Sequence, residues 1–178
     1  LDVSSIQIVD YLHRHNARIS VFDNRTLDKL NINIVDRIIN YKMKYSFGEH
    51  SLKNLRDEQL IIKAPEYRYD TKEINEMVDG GTILTSVSEL LVKLFPGKSF
   101  GIIGNCDDNM IFLLRDIIAS SGYNCYIDNN PHKPLLSRVN EFDLKSALIV
   151  NLDEQDLYGM DIYPDYLTMV NASHSNSN

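Results

Sequence analysis

Apolar positions along the chain recur with two alternating periods, one helical and one strand-like. Ile6, Ile8, Val9, Tyr11 and Leu12 follow Ser4 and Ser5, which are suited to capping a helix, and the pattern stops near Asn16. Residues 18–22 read as a buried strand that gives way to the polar loop Asp23-Asn24-Arg25. Ile34, Val35, Ile38 and Ile39 share one side of a helix predicted over 32–41, and residues 44–47 alternate like a strand that ends at Gly48. A short strand over 60–62 ends at Pro65. Thr71 caps a helix through Val78, closed by Gly80 and Gly81, and a strand over 82–84 precedes a helix over 86–95 that Pro96 and Gly97 terminate.

The second half repeats the alternation. Residues 99–103 read as a strand, 104–109 as a turn, 110–121 as a strongly apolar helix and 123–127 as the next strand. A loop over 128–134 follows, then two more strands over 147–151 and 166–170, and a small, polar end over 173–178 that is expected to fray. Strands that alternate with helices imply parallel sheets, with ligand sites beyond the carboxyl ends of the strands. The expected class is α/β: a Rossmann-like parallel sheet over 1–96, then a second α/β unit over 97–178, with the break at Pro96-Gly97.

Composition narrows the function. Eighteen Lys and Arg against 25 Asp and Glu give a net charge of −7 with no basic cluster, which argues against general nucleic-acid binding. No apolar run approaches the roughly 18 residues needed to cross a bilayer, so no membrane association is expected. Two cysteines cannot build a disulfide framework, and with no signal peptide in view a reducing cytoplasm is the expected setting. The chain begins at Leu1 rather than Met, which leaves room for a preceding segment.

A few residues carry candidate chemistry. Asp23 and Arg25 suit a hydroxyl and a phosphate respectively; the plainer reading is a solvated turn after a strand. Gly101 and Gly104 fit either a phosphate-binding turn or an ordinary βα turn, in which Asp107 and Asp108 complement the helix dipole. Asp107, Asp108 and Asp153 read as metal ligands or as solvated acids. Cys106 at a helix N-terminus is a reactive thiol or a plain small residue, and no His or Asn partner falls beside it. The five histidines, His13, His15, His50, His132 and His174, show no metal spacing, so no metal is expected.

The order of these motifs resembles the Mur ligases, in the branch that adds D-glutamate. Leu1-Asp2-Val3-Ser4-Ser5 looks like the tail of that family's first glycine-rich turn, and Asp23-Asn24-Arg25 is similar to its Asp-x-Arg loop, which touches the uridine end of the substrate. Gly48-Glu49-His50 resembles a Gly-x-His element. Ala64-Pro65-Glu66 looks like its Ser-Pro-Gly, with Glu66 where a phosphate would be crowded and repelled. Residues 81–91 are close to the segment that closes the family's N-terminal domain.

The resemblance extends into the second half with its chemistry altered. The family's P-loop, Gly-x-x-Gly-Thr-Asn-Gly-Lys-Thr, corresponds to Gly101-Ile102-Ile103-Gly104-Asn105-Cys106-Asp107-Asp108-Asn109. Asp107 stands for a glycine, Asp108 for the lysine that counters phosphate charge, and Asn109 for the hydroxyl that holds Mg²⁺. Asp128-Asn129-Asn130-Pro131 stands for Gly-Asn-Ile-Gly, and Asn151 for a metal-binding Glu. Ser175 and Asn176 stand for an Asp-His pair, with His174 close by.

An intact family member uses ATP and Mg²⁺ to activate a muramoyl-alanine carboxylate as an acyl phosphate, which the amine of D-glutamate attacks. The resemblance therefore implies a truncated, P-loop-like central domain over 97–178, with no catalytic residues, metal or cofactor of its own. The remaining ligand is a UDP-muramoyl-type sugar nucleotide, held by Val3, Ser4, Ser5, Asp23, Asn24, Arg25, Ala64 and Pro65. A scaffold that binds no nucleotide and pairs with another subunit or a second copy stays open beside it.

Overall fold

The computed structural model describes residues 3–64, 71–104, 106–128, 135–152, 154–157 and 160–170. The chain divides into two compact units, Leu1–Val87 and Ser88–Asn178. It is an α/β protein, and the strand pairings among the described residues are all parallel.

The first unit opens with helix α1, Val3–Arg14. Ser4 and Ser5 thus lie inside its first turn rather than at the cap position that their chemistry favours. Strand β1, Ser20–Asp23, pairs with β2, Lys44–Phe47, across helix α2, Ile32–Asn40, whose Asn31 cap accepts from the Asn33 amide. Val9, Val21, Ile34, Ile38 and Met43 form the core between them. On the outside, Arg37 reaches both carboxylate oxygens of Asp10 (2.9 and 3.1 Å), and the Tyr41 hydroxyl donates to the same group at 2.9 Å, which locks α2 onto α1.

A second parallel pair completes this unit: β3, Leu60–Lys63, lies beside β4, Ile83–Ser86, with α3, Lys72–Asp79, between them in sequence. Among the described residues, the strands of this unit form two two-stranded ladders rather than one continuous sheet. Ser51–Asn54 is a short 3₁₀ turn after β2.

The second unit begins within helix α4, Val87–Leu94, and is built on a four-stranded sheet of order β6-β7-β5-β8. These strands are β5, Lys98–Gly104; β6, Asn124–Ile127; β7, Ser146–Leu152; and β8, Tyr166–Val170. Central β7 is buried at every position but Asn151, as expected of a strand covered on both faces. Helix α5, Asp108–Ser120, packs Ile111 and Ile118 against Ile102, Ala147 and Ile149. The approach to edge strand β8 is fixed twice. Asp165 accepts from the Ser99 amide (2.8 Å) and hydroxyl (2.9 Å), and the buried Glu89 accepts from the amides of Asp161 and Ile162 (2.8 and 3.1 Å). A one-turn helix α6, Glu154–Leu157, follows β7. Among the described residues no helix is long and apolar enough to cross a membrane.

Candidate functional site

Parallel strands bring their carboxyl ends to one side, and in the first unit the loops after β1 and β2 are stitched together there. The Gly48 amide donates to the carbonyls of Asp23 (3.0 Å) and Arg25 (3.2 Å), with Gly48 at φ +97°, a conformation that suits glycine. Beside this seam lies a cleft of about 330 Å³ lined by Asn24, Glu49, His50, Leu52, Lys53, Thr71 and Glu73. The lining mixes two carboxylates with a lysine, an imidazole and an amide, so it offers both donors and acceptors.

Asn24 enters the cleft from between two residues that bind each other. The Asp23 carboxylate accepts from the Arg25 backbone amide (2.8 Å), from its Nε (3.0 Å) and from a terminal guanidinium nitrogen (2.8 Å). The Asp23 side chain is 4% exposed and that of Arg25 43% exposed. Burial pushes the Asp23 carboxyl up, but hydrogen bonds, first among them those from the Arg25 side chain, outweigh it and hold the group well below the usual carboxylate range. Thr71, at the N-cap of α3, makes no capping bond with its side chain. Its hydroxyl and that of the buried Ser51, in the 3₁₀ turn after β2, are without a hydrogen-bond partner among the described residues.

The other residues expected at this site are placed less fully. Val3, Ser4 and Ser5 occupy the first turn of α1, and their side chains lie outside the described residues, as does Pro65. Ala64 follows β3, in the other parallel pair, and is not among the described lining residues. Glu49, His50, Leu52, Lys53, Thr71 and Glu73 are lining residues beyond those expected from the sequence. Gly48-Glu49-His50 carried a signal in its Gly-x-His form, and Thr71 carried one only as a helix cap.

In the second unit, Gly101 lies inside β5 rather than in a loop. A Cβ there would come within 2.8 Å of side-chain carbons of Leu167 and Pro164. Gly104 ends the strand at φ +103°, where a Cβ would collide with the Val170 carbonyl oxygen. Both glycines are thus required by the close approach of β5 to β8. Asn105 lies outside the described residues. Asp107 is the N-cap of α5 and its carboxylate accepts from the Met110 amide at 2.8 Å; Asp108 and Asn109 stand in the first turn. Burial, then the charges of Asp107 and Asp108, push the Cys106 thiol above its ordinary pKa, the reverse of a reactive thiolate.

Asn151 is exposed near the carboxyl end of β7. Asp128, just beyond β6, has its carboxyl pushed up to about 6 by burial and by the nearby charge of Asp156. Residues 129–131, Asp153 and 171–178 lie outside the described residues. Among the described residues no group of His, Cys, Asp and Glu is arranged to hold a metal ion.

The chain is similar along nearly its whole length to UDP-N-acetylmuramoylalanine–D-glutamate ligases. It is 24% identical to that of Clostridium acetobutylicum over 174 residues, which is 97% of this chain and 38% of the relative. The corresponding enzyme of Acetivibrio thermocellus is 28% identical (97% and 37%) and that of Clostridium kluyveri 26% identical (97% and 38%). The chain is Mur-ligase-like and spans a little over a third of the length of these relatives. No protein-family model matches it.

Proposed function

We propose that this chain is a non-catalytic Mur-ligase-like protein that binds a UDP-muramoyl precursor of peptidoglycan through its first unit and takes no ATP at 101–109. The observation that carries the reading is the bond from the Met110 amide to the Asp107 carboxylate. A helix N-terminus cradles phosphate with free amides; here the chain's own carboxylate occupies one. Asp108 adds a second negative charge where an intact family member places a lysine, so Coulomb repulsion replaces attraction. With no lysine or metal-binding hydroxyl here, electrostatic stabilisation of phosphoryl transfer is lost as well.

The first unit supports retention of the sugar nucleotide. Asp23-Asn24-Arg25 matches the loop that the resemblance assigns to the uridine end, and it lies beside a cleft of a size suited to part of such a ligand. Isothermal titration tests the reading. UDP-N-acetylmuramoyl-L-alanine is expected to bind and ATP·Mg²⁺ to give no heat; ATP binding or hydrolysis overturns it.

A second reading has its own observation. Edge strand β8 exposes Tyr166, Leu167 and Met169, and the outer side of α5 exposes Leu113 and Ile117. Apolar surface of this kind favours a scaffold that pairs with another subunit. Binding of neither ligand, together with a stable dimer in light scattering, favours that reading.

A further inference from the structure

Expectation from the sequence places both Asp23 and Arg25 on the ligand, but the geometry separates their roles. We propose that Asp23 is a positioning residue: its buried carboxylate fixes the Arg25 fork beside the cleft and turns Asn24 into it, without touching the ligand itself. This rests on the reading that the first unit binds a sugar nucleotide.

An ionised carboxylate offers about four acceptor positions. Arg25 alone takes three of them at Asp23, through its backbone amide, its Nε and a terminal nitrogen, at 2.8, 3.0 and 2.8 Å. The two-point contact between guanidinium and carboxylate sets the plane of the fork as well as its position. A ligand hydroxyl that took any of the positions Arg25 fills at Asp23 would leave a buried charge without part of its pairing. Arg25, by contrast, keeps 43% of its side chain exposed. The backbone bond from Arg25 to Asp23 also closes a tight loop around Asn24, which lines the cleft.

Double-mutant titration separates positioning from contact. The probe is UDP-N-acetylmuramoyl-L-alanine, measured against wild type, Asp23→Asn, Arg25→Ala and the double variant. If Asp23 acts only through Arg25, each single change weakens binding about tenfold and the double change about tenfold as well. A loss of about a hundredfold in the double variant means independent contacts and overturns the proposal. Unchanged binding by Asp23→Asn also overturns it, while leaving the functional reading intact. Failure of wild type to bind overturns that reading and this one together. Should Asp23→Asn not fold, Arg25→Lys carries the test: it keeps the charge but loses the fork, so it should bind as weakly as Arg25→Ala, and wild-type affinity overturns the proposal. The Arg25 Nε–H resonance, slow to exchange in wild type and fast in Asp23→Asn, reports the loss of positioning directly.

Discussion

The Asp107 carboxylate accepts a 2.8 Å hydrogen bond from the Met110 amide, so the first turn of α5 is closed by a charge of the protein's own. The same bond that stabilises the helix takes up an amide on which, in the proposed reading, phosphate binding would depend.

Removal of that cap should therefore cost stability. Asp107→Ala is expected to destabilise the chain by about 1 kcal/mol, the usual worth of an acidic N-cap. Asp107→Asn, which can still accept the bond, should cost less. Urea midpoints of the two variants check this; equal losses would mean that the charge, not the bond, carries the effect.

Gly101 gives a test that is independent of any ligand. Its missing Cβ leaves room for Leu167 and Pro164, so Gly101→Ala overpacks the β5–β8 contact. A loss of about 1–3 kcal/mol is expected in thermal or denaturant unfolding without nucleotide present. An unchanged midpoint would remove the packing explanation for this glycine.

Asp128 makes stability depend on pH in an unusual direction. Its carboxyl titrates near 6 in the folded chain and near 3.8 when free. Between those values the folded state holds a proton that the unfolded state has lost, so this group's contribution falls as pH rises through the window and levels off above it. A shift of about two units corresponds to at most roughly 3 kcal/mol. Asp128→Asn should accordingly be more stable than wild type at pH 7.5, and the gap should close towards pH 4. A gap that is constant with pH would contradict the burial argument.

The centre of the second unit should be the least tolerant of truncation. Leu148 and Ile149 in β7 are fully enclosed. Either one changed to Ala is expected to cost about 2–5 kcal/mol in denaturant unfolding. Leu144, exposed in the preceding turn, serves as the control, with a change within about 0.5 kcal/mol.

Much of the element order is legible in the sequence, because burial on one or both faces leaves a period that can be read. Strands β2 and β8 begin and end where alternation and Pro164 place them. Other boundaries shift by one or two residues: Ser86 ends β4 rather than opening α4, and β1 runs on to Asp23, whose burial beside Arg25 no local pattern announces. The 3₁₀ turns at Leu27–Lys29 and Ser51–Asn54 have too few residues in step to show a period, and Leu135–Glu141 winds at about three residues per turn rather than about 3.6. At the candidate site, Asp23 and Arg25 stand out as residue types, but not as partners of each other. Lys53 and Glu73 reach the cleft only through the packing of the 3₁₀ turn and α3, and the raised carboxyl of Asp128 comes from burial. Both are tertiary effects.

Amide chemical-shift mapping on the intact chain tests the central claim most directly, since it reads both units at once. The account predicts that UDP-N-acetylmuramoyl-L-alanine shifts Asn24, His50, Lys53 and Thr71, while ATP·Mg²⁺ leaves Gly104 through Met110 unmoved. Shifts at Gly104 through Met110 with ATP·Mg²⁺, or a silent first unit with the sugar nucleotide, would contradict it.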